Sequence, residues 1–296
     1  MLKSKNIFVC IGAIHYDYLI NLKKNIINYR TNPVVHHSRI GGVAYNVAKI
    51  ISNFEKIEFY SLKINNELKK SISKNIKIKQ ANSKTSDRYY IAISDKNNNF
   101  LLGLANTDIY EASKNLRIPN ITNKFIIFDL NFPKNFLEKT IKILSPKNKI
   151  IVCATSVYKT DKIKKIMKYI DILFLNKSEL INLTKENSII SGIKNIQQKN
   201  KNIMIIVTNS KNNVIYSNGK KIFKIKPPKI KIRNENGAGD ALAGMMLFLI
   251  SQGYKEKDIL KYSVACGSYY ASGKMLNTKK DLIKIKNFSK KVIINY

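Results

Sequence analysis

Two glycines and an aspartate stand together at the start of an apolar helical segment late in the chain. The run from Asn236 to Gly244 reads Asn-Gly-Ala-Gly-Asp-Ala-Leu-Ala-Gly. Glycines let the backbone turn sharply and expose its N–H groups, and the positive end of a helix dipole adds to the attraction for an anion. A carboxylate at Asp240 could take a proton from an attacking hydroxyl while those amides hold a transferring phosphoryl group. The alternative is a Gly-rich turn in which Asp240 is an ordinary residue of a helix N-terminus.

A second Gly-rich entry to a helix lies near the start of the chain, where residues 39–46 read Arg-Ile-Gly-Gly-Val-Ala-Tyr-Asn. Gly41 and Gly42 permit the close approach of a ligand, and Asn46, about one turn into the helix, offers a donor and an acceptor to a polyol. Asp17, which we place at the end of the first strand, can accept hydrogen bonds from two hydroxyl groups. Each of these residues alone could equally be a cap or a surface group.

The elements that must position these residues follow from the apolar pattern of the chain. Short β-branched runs bounded by polar residues predict buried strands, and segments with helical spacing lie between them. This alternation predicts a mainly parallel sheet covered by helices on both faces, a three-layer α/β/α fold. The predicted strands are 7–11, 125–128, 149–152, 172–175 and 203–207, and the predicted helices are 43–52, 135–144, 161–169 and 177–183.

Two stretches, within residues 16–39 and 86–108, break the alternation. In the second, an apolar run that starts at Tyr89 enters the turn-like sequence Asp-Lys-Asn-Asn-Asn and resumes at Phe100, which predicts a hairpin. Strands without crossover helices predict a small antiparallel β lid over the carboxyl ends of the main strands. We therefore expect residues 1–296 to form one domain with this lid, and we expect the exposed lid strands to pair two copies into a homodimer.

The formal net charge of +34 raises the question of a polyanion partner. The lysines are spread along the chain among many Asn and Ile residues, which favours a compositional bias and no specific nucleic acid, although a polyanion binder stays an alternative. Three scattered cysteines indicate a reducing, cytoplasmic environment, and we expect no membrane span. His15 and the loop pair His36 and His37 lack partners at metal-binding spacing, so we predict no zinc site.

In their order and spacing, these motifs resemble the ribokinase-like (phosphofructokinase B) family of sugar and nucleoside kinases over nearly the whole chain. The first strand with Asp17, the Gly-Gly helix entry, the Asn-Lys-Ser-Glu element at 176–179 and the Gly-Ala-Gly-Asp run carry the resemblance. The roles that it implies are the catalytic base for Asp240, an anion hole for Gly237, Ala238 and Gly239, substrate contacts for Asp17, Gly41, Gly42 and Asn46, and nucleotide contacts for Asn176, Glu179 and Thr208.

The resemblance also implies the cofactors ATP and Mg²⁺, with Glu179 acting on the metal through water, and it allows a monovalent cation. Without it, Asn176 and Glu179 are only a helix cap and its partner. Within the family, the segments 31–34 and 104–109 and Asn234 are most similar to the pseudouridine kinases. This similarity implies phosphorylation of the 5′-hydroxyl of pseudouridine; another sugar or nucleoside kinase and a non-catalytic nucleoside-binding relative stay open.

Two features depart from the family pattern near the expected nucleotide site. The turn Thr-x-Gly-x-x-Gly reads Thr-Asn-Ser-Lys-Asn-Asn over 208–213, so that Ser210 and Asn213 replace both glycines. Asn213 tolerates a left-handed backbone, and Ser210 could keep a short turn. Glu235 replaces the usual Thr before the anion hole and would weaken ATP binding unless it points to solvent.

Overall fold

The computed structural model describes residues 7–81, 88–97, 99–106, 108–111, 116–233, 235–276, 278 and 280–295. Asn234 and parts of the segments 86–108 and 104–109 lie outside the described residues. In chain order the elements are β1 (Phe8–Ile11), β2 (His15–Leu22), β3 (Val34–Gly41), α1 (Val43–Ile51), β4 (Ile57–Leu62), α2 (Asn66–Lys70), β5 (Ile76–Ala81), β6 (Tyr89–Ser94), β7 (Phe100–Asn106), α3 (Asp108–Glu111), β8 (Phe125–Asp129), α4 (Lys134–Leu144), β9 (Lys149–Cys153), β10 (Ile172–Asn176), α5 (Lys177–Thr184), α6 (Ile189–Lys199), β11 (Met204–Thr208), β12 (Val214–Ser217), β13 (Ile222–Lys226), α7 (Ala238–Ser251), α8 (Glu256–Ala271), α9 (Asp281–Ser289) and β14 (Ile293–Asn295).

The large sheet has the strand order β14-β13-β12-β11-β10-β9-β8-β1-β4-β5. The strands from β11 to β5 pair in parallel, and β12, β13 and β14 add an antiparallel edge. Because parallel strands all point the same way, the residues that follow β1, β8, β10 and β11 meet at one edge of the sheet. Ligands bind outside this carboxyl edge in open α/β sheets.

Helices cover both faces of this sheet because its strands are apolar on both sides. Phe8 and Cys10 of β1 belong to a core shared with α1, α2, α7, α8 and α9. Val9 and Ile11 point the other way, into a core shared with α4, α5 and α6. Successive strand residues face opposite sides of a sheet, so a continuous apolar run serves two helical layers. The predicted three-layer fold with a mainly parallel sheet is confirmed.

A separate sheet with the order β3-β2-β6-β7 forms the lid. Its two hairpins, β2–β3 and β6–β7, are antiparallel as predicted, and the inner strands β2 and β6 pair in parallel. In the second hairpin, the carboxylate of Asp95 accepts hydrogen bonds from the N–H groups of Asn97 and Asn99, both at 2.8 Å, which closes the turn. The chain enters the lid directly from β1 through Gly12, so the lid is anchored at the carboxyl edge of the main sheet.

The predicted element ends agree with the structure to within one or two residues, apart from one segment. Residues predicted to be helical from 161 to 169 form a longer 3-10 helix, Val157–Tyr169. Among the described residues, no helix combines the length and the apolar character that crossing a membrane requires.

Candidate active site

The two Gly-rich motifs meet although nearly 200 residues separate them. Asn46 Nδ2 donates to Asp240 Oδ2 at 2.8 Å, from the first turn of α1 to the first turn of α7. The helices pack closely because Gly244 lies between them: a Cβ there would stand 2.6 Å from Ile50 Cβ and 2.8 Å from the carbonyl oxygen of Val47. The last glycine of the late motif therefore permits the contact that brings Asn46 to Asp240.

The start of α7 has the geometry of an anion site. Gly237 adopts a left-handed backbone with φ of +83°, and Ala241 donates the first helical hydrogen bond back to its carbonyl at 2.9 Å. Ala238, predicted to be part of the anion hole, already donates its N–H to the Glu235 carbonyl at 3.2 Å. Among the described residues, none accepts from the N–H groups of Gly239 and Asp240. A Cβ on Gly239 would meet no atom within 4 Å, so the space beside this residue is open.

The carboxyl group of Asp240 has an unusual affinity for protons. Burial raises its pKa from 3.8 to about 7, and the nearby charges of Asp17 and Glu179 act in the same direction. The hydrogen bond from Asn46 and the charge of Arg39 oppose this rise. A carboxylate with a pKa near neutrality is a far better proton acceptor than an ordinary aspartate, and it is still ionised in part at pH 7.

Asp17 is not at the end of the first strand, as predicted, but is the third residue of the lid strand β2. The error arises because the chain passes from β1 into the lid after only three residues. The side chain of Asp17 is buried against Gly41: a Cβ on that glycine would lie 1.9 Å from Asp17 Oδ1. This oxygen lies 3.1 Å from Nδ1 of His15 and has no hydrogen bond among the described residues. It is a buried acceptor that a substrate hydroxyl could satisfy.

Gly42 has φ of +114°, and a Cβ there would lie 2.1 Å from the carbonyl oxygen of Ala13. The position therefore excludes any other residue type, on grounds of both backbone conformation and space. As a result, the start of α1 lies directly against the loop that follows β1.

Asp129, to which we assigned no role from the sequence, supports the loop after β1 by hydrogen bonding to its backbone. It is fully buried, and its Oδ2 accepts from the N–H groups of Ala13 at 2.8 Å and Ala44 at 3.4 Å. Its Oδ1 accepts from the N–H of Asn131 at 3.0 Å. The sequence did contain a signal for this residue: it is a carboxylate directly after the apolar run of a predicted strand, and such a residue lies at the carboxyl edge of the sheet.

The three predicted nucleotide contacts lie along the same edge, at β10, β11 and the start of α5, on the other side of β9 from Asp129. Asn176 and Thr208 are register partners at the ends of β10 and β11. Asn176 Oδ1 accepts from the Glu179 N–H at 2.9 Å, and Glu179 Oε2 accepts from the Asn176 N–H at 2.8 Å, a complete capping box. Burial raises the pKa of Glu179 to about 6, and its hydrogen bond from Asn176 opposes the rise.

The two departures from the family pattern contact each other. Ser210 has φ of +49°, so the left-handed position of the turn is residue 210, and Asn213, which would tolerate that conformation, does not adopt it. Its hydroxyl donates to Glu235 Oε1 at 2.8 Å. The side chain of Glu235 is exposed to solvent. Its carboxylate is held by the Ser210 turn beside the start of α7.

Two arginines connect the lid to the main body, and our sequence reasoning assigned a role to neither. Arg88 is buried just before β6; it donates from Nε to the Ile14 carbonyl at 2.7 Å and from Nη2 to the Leu62 carbonyl at 3.0 Å. Arg39, on β3, lies with Nε 3.4 Å from Asp17 Oδ2 and donates from Nη2 to the Asn236 carbonyl at 3.4 Å. A lone arginine in a basic chain carries no sequence signal that separates it from a surface residue.

In the described part of the chain, no group of three or more His, Cys, Asp or Glu side chains is arranged to hold a metal ion. His36 and His37 are exposed on the lid strand β3 and not in a loop as predicted. Cys266 is fully buried, and this burial raises the pKa of its thiol, as is usual for a cysteine that packs in a core.

Comparison with known proteins identified a matching family model and a curated relative. The family model described as pfkB family carbohydrate kinase matches residues 6–279. A pseudouridine-metabolizing bifunctional protein from Schizosaccharomyces pombe is 28% identical over 189 residues, which is 58% of this chain. The matched part is 25% of that curated relative, so the chain spans only about a quarter of its length.

Solved structures share the fold over almost the whole chain. A carbohydrate kinase from Agrobacterium tumefaciens superposes with a TM-score of 0.75 at 19% identity and covers 97% of this chain and 99% of its own. A nucleoside kinase from Methanocaldococcus jannaschii, described as an archaeal member of the ribokinase family, has a TM-score of 0.75 at 18% identity, with 96% and 99% covered. At these identities the likeness concerns the fold.

Proposed function

We propose that this chain, which belongs to the pfkB family of carbohydrate kinases, transfers the γ-phosphoryl group of ATP to the 5′-hydroxyl of a nucleoside. One observation carries the proposal: Asn46, which we propose contacts the acceptor, donates from Nδ2 at 2.8 Å to Oδ2 of Asp240, which we propose as the base. In the described part of the chain, the N–H groups of Gly239 and Asp240 at the same helix start have no acceptor, and the space beside Gly239 is open. A base, an acceptor site and an anion site at one helix start are what phosphoryl transfer to an alcohol requires.

In this proposal Asp240 takes the proton of the attacking hydroxyl as the oxygen bonds to phosphorus. The two free amides at the start of α7 stabilise the charge that develops on the phosphoryl oxygens. Asp17 and Asn46 orient the sugar, since Asp17 Oδ1 is a buried acceptor without a hydrogen bond among the described residues. The rigid packing of α7, buried from Ala241 to Leu249, keeps the base and the amides in fixed relative positions.

The residues present fit a magnesium nucleotide. Thr208 and the capping box of Asn176 and Glu179 line the neighbouring part of the carboxyl edge, where the phosphates would extend from the start of α7. When bound, Mg²⁺ would neutralise charge on the phosphates, and Glu179 would orient its water ligands. A monovalent cation is an additional expectation from the family.

We propose pseudouridine as the acceptor, with another nucleoside or sugar as the alternative. Support comes from the relative whose name describes pseudouridine metabolism and from the sequence features shared with pseudouridine kinases. A cytoplasmic location stays a prediction from the sequence.

A homodimer through the lid is part of the proposal. Within the described residues, the outer strands of the lid sheet, β3 and β7, have no partner strand on their outer edges, and exposed strand edges favour pairing with another chain. These two strands also expose large apolar side chains: Val34, Val35, Phe100, Leu101, Leu102 and Leu104.

The test is turnover of ATP with pseudouridine, uridine and ribose, in the wild type and in Asp240→Asn. Loss of the base should lower kcat by about 10²–10⁴-fold. Asp258→Asn is the matched control, because Asp258 occupies the same third position of α8 that Asp240 occupies in α7. Full turnover in Asp240→Asn would refute the assigned base, and nucleoside binding without any product would favour a non-catalytic relative.

A further inference from the structure

Arg39 links the lid to the loop before α7. Its guanidinium, about a quarter exposed, lies between Asp17 Oδ2 and the carbonyl oxygen of Asn236, each at 3.4 Å. A Cβ on Gly237 would stand 3.9 Å from Arg39 Nη2 and equally far from Asn46 Nδ2. A positive charge from the lid is therefore next to the residues that bind the acceptor and to the start of the anion site.

Both contacts of Arg39 are long. Hydrogen bonds between charged groups are usually about 2.7–2.9 Å, so 3.4 Å indicates weak bonds that a better acceptor would replace. The guanidinium has five N–H donors in a planar fork that matches phosphate oxygens. Since the carbonyl of Asn236 is only three residues from Gly239, a phosphoryl group on the free amides would be within reach of this fork.

The lid presents Arg39 together with Asp17. The two residues are register partners in the β2–β3 hairpin, so their backbones lie directly opposite each other. Any movement of this hairpin toward the main sheet would carry the acceptor-binding carboxylate and the cation as one unit.

We propose that Arg39 is a catalytic residue that binds the phosphoryl group during transfer; this inference rests on the proposed function. The bond that forms joins the acceptor oxygen to phosphorus, and the bond that breaks joins phosphorus to the bridging oxygen of ADP. The acceptor proton goes to Asp240. Arg39 neutralises charge on the transferring oxygens, and it exchanges its weak contact with Asn236 for a bidentate contact with phosphate.

The experiment compares wild type, Arg39→Gln, Arg39→Lys and the control Arg30→Gln. Arg30 lies in the loop of the same lid hairpin, its Nη1 bonded only locally, to the Tyr29 carbonyl, so its substitution removes the same charge from the same element. Steady-state rates are measured with ATP and pseudouridine, and thermal unfolding checks the fold. Calorimetry then compares the affinity for ADP alone with that for ADP plus aluminium fluoride, a mimic of the transferring phosphoryl group.

We expect Arg39→Gln to lower kcat by roughly 10²–10³-fold, as for loss of one charge-stabilising donor, with the KM for ATP changed far less. Arg39→Lys should recover part of this loss, because it keeps the charge without the fork. Arg39→Gln should lose most of the gain in affinity from aluminium fluoride while it binds ADP alone normally, and Arg30→Gln should behave as wild type.

Two results would overturn the inference. If Arg39→Gln keeps kcat within about threefold, or raises only the KM for the acceptor, then Arg39 merely attaches the lid. Equal affinity of wild type and Arg39→Gln for ADP with aluminium fluoride would also mean that Arg39 merely attaches the lid. This comparison can be made even if none of the tested acceptors is turned over. The wild type could turn over none of the tested acceptors and still bind ADP with aluminium fluoride more tightly than Arg39→Gln does. That result would refute the substrate proposal alone.

Discussion

The substitution Gly239→Ala should separate folding from phosphate binding. Gly239 lies at the second position of α7 and is not among the glycines with positive φ, so alanine fits its backbone. No atom lies within 4 Å of the added Cβ. The methyl group would therefore cause no clash with the described residues, but it would occupy open space beside the N–H groups that we propose bind phosphate.

The magnitudes follow from these facts. Replacing a helical glycine with alanine stabilises by about 0.4–1 kcal/mol, which for a chain of this size raises Tm by roughly 1–4 °C. A methyl group at the anion site would displace a phosphoryl oxygen by about 1 Å, and misplacement of that size lowers the rate on the order of 10²-fold. We expect a protein that is at least as stable as wild type and about 100-fold slower.

Gly253→Ala is the matched control, at the other end of the same helix. A Cβ at Gly253 would also meet no atom within 4 Å, but φ is +71°. Alanine in that conformation costs about 1–2 kcal/mol and should lower Tm by roughly 2–8 °C while kcat stays normal. The assay is ADP release with pseudouridine, beside thermal unfolding by circular dichroism and calorimetry with ATP. A Gly239→Ala enzyme that binds ATP and turns over normally would contradict the assignment of the amides to phosphate.

Two further predictions concern the base and the nucleotide site. The pKa of Asp240 of about 7 predicts that kcat/KM rises with pH through neutrality. Asn46→Ala should shift this rise to higher pH, because the hydrogen bond from Asn46 lowers that pKa in the wild type and the variant lacks it. The same kcat/KM profile in both proteins would exclude Asp240 as the titrating base. Ser210→Gly should raise Tm, because it relieves a left-handed backbone that costs about 1 kcal/mol. It should also raise the KM for ATP, because the Glu235 carboxylate loses the hydroxyl that holds it. The test is thermal unfolding together with ATP titration, and a lowered KM would mean that Ser210 does not restrain Glu235.

Much of the fold and part of the site could be predicted from the order of residue types. Buried strands can be recognised in the sequence, because an apolar run such as the one in Phe125–Asp129 must lie between two helical layers. Gly-rich helix entries are visible because few other residues permit their backbone, as the φ of Gly42 and Gly237 shows. Local chemistry and chain order thus indicated the sheet, the lid hairpins and the two motifs of the site.

Properties that depend on distant neighbours could not be predicted in this way. Asp129 supports the loop after β1 through contacts 116 and 85 residues apart, and Asp17 proved to belong to the lid. The raised pKa of Asp240 depends on burial beneath elements far away in sequence. The contact between Ser210 and Glu235 joins two departures that looked independent along the chain.

The sequence by itself determined which residues can turn, bury or carry charge, because these are properties of single residues and their near neighbours. Only the tertiary structure decided which of them share a site, because the Asn46–Asp240 hydrogen bond requires the packing of α1 on α7. Arg39 shows the difference most plainly. It is one of the 53 basic residues of the chain, and only the position of the lid places its charge beside the loop that precedes α7.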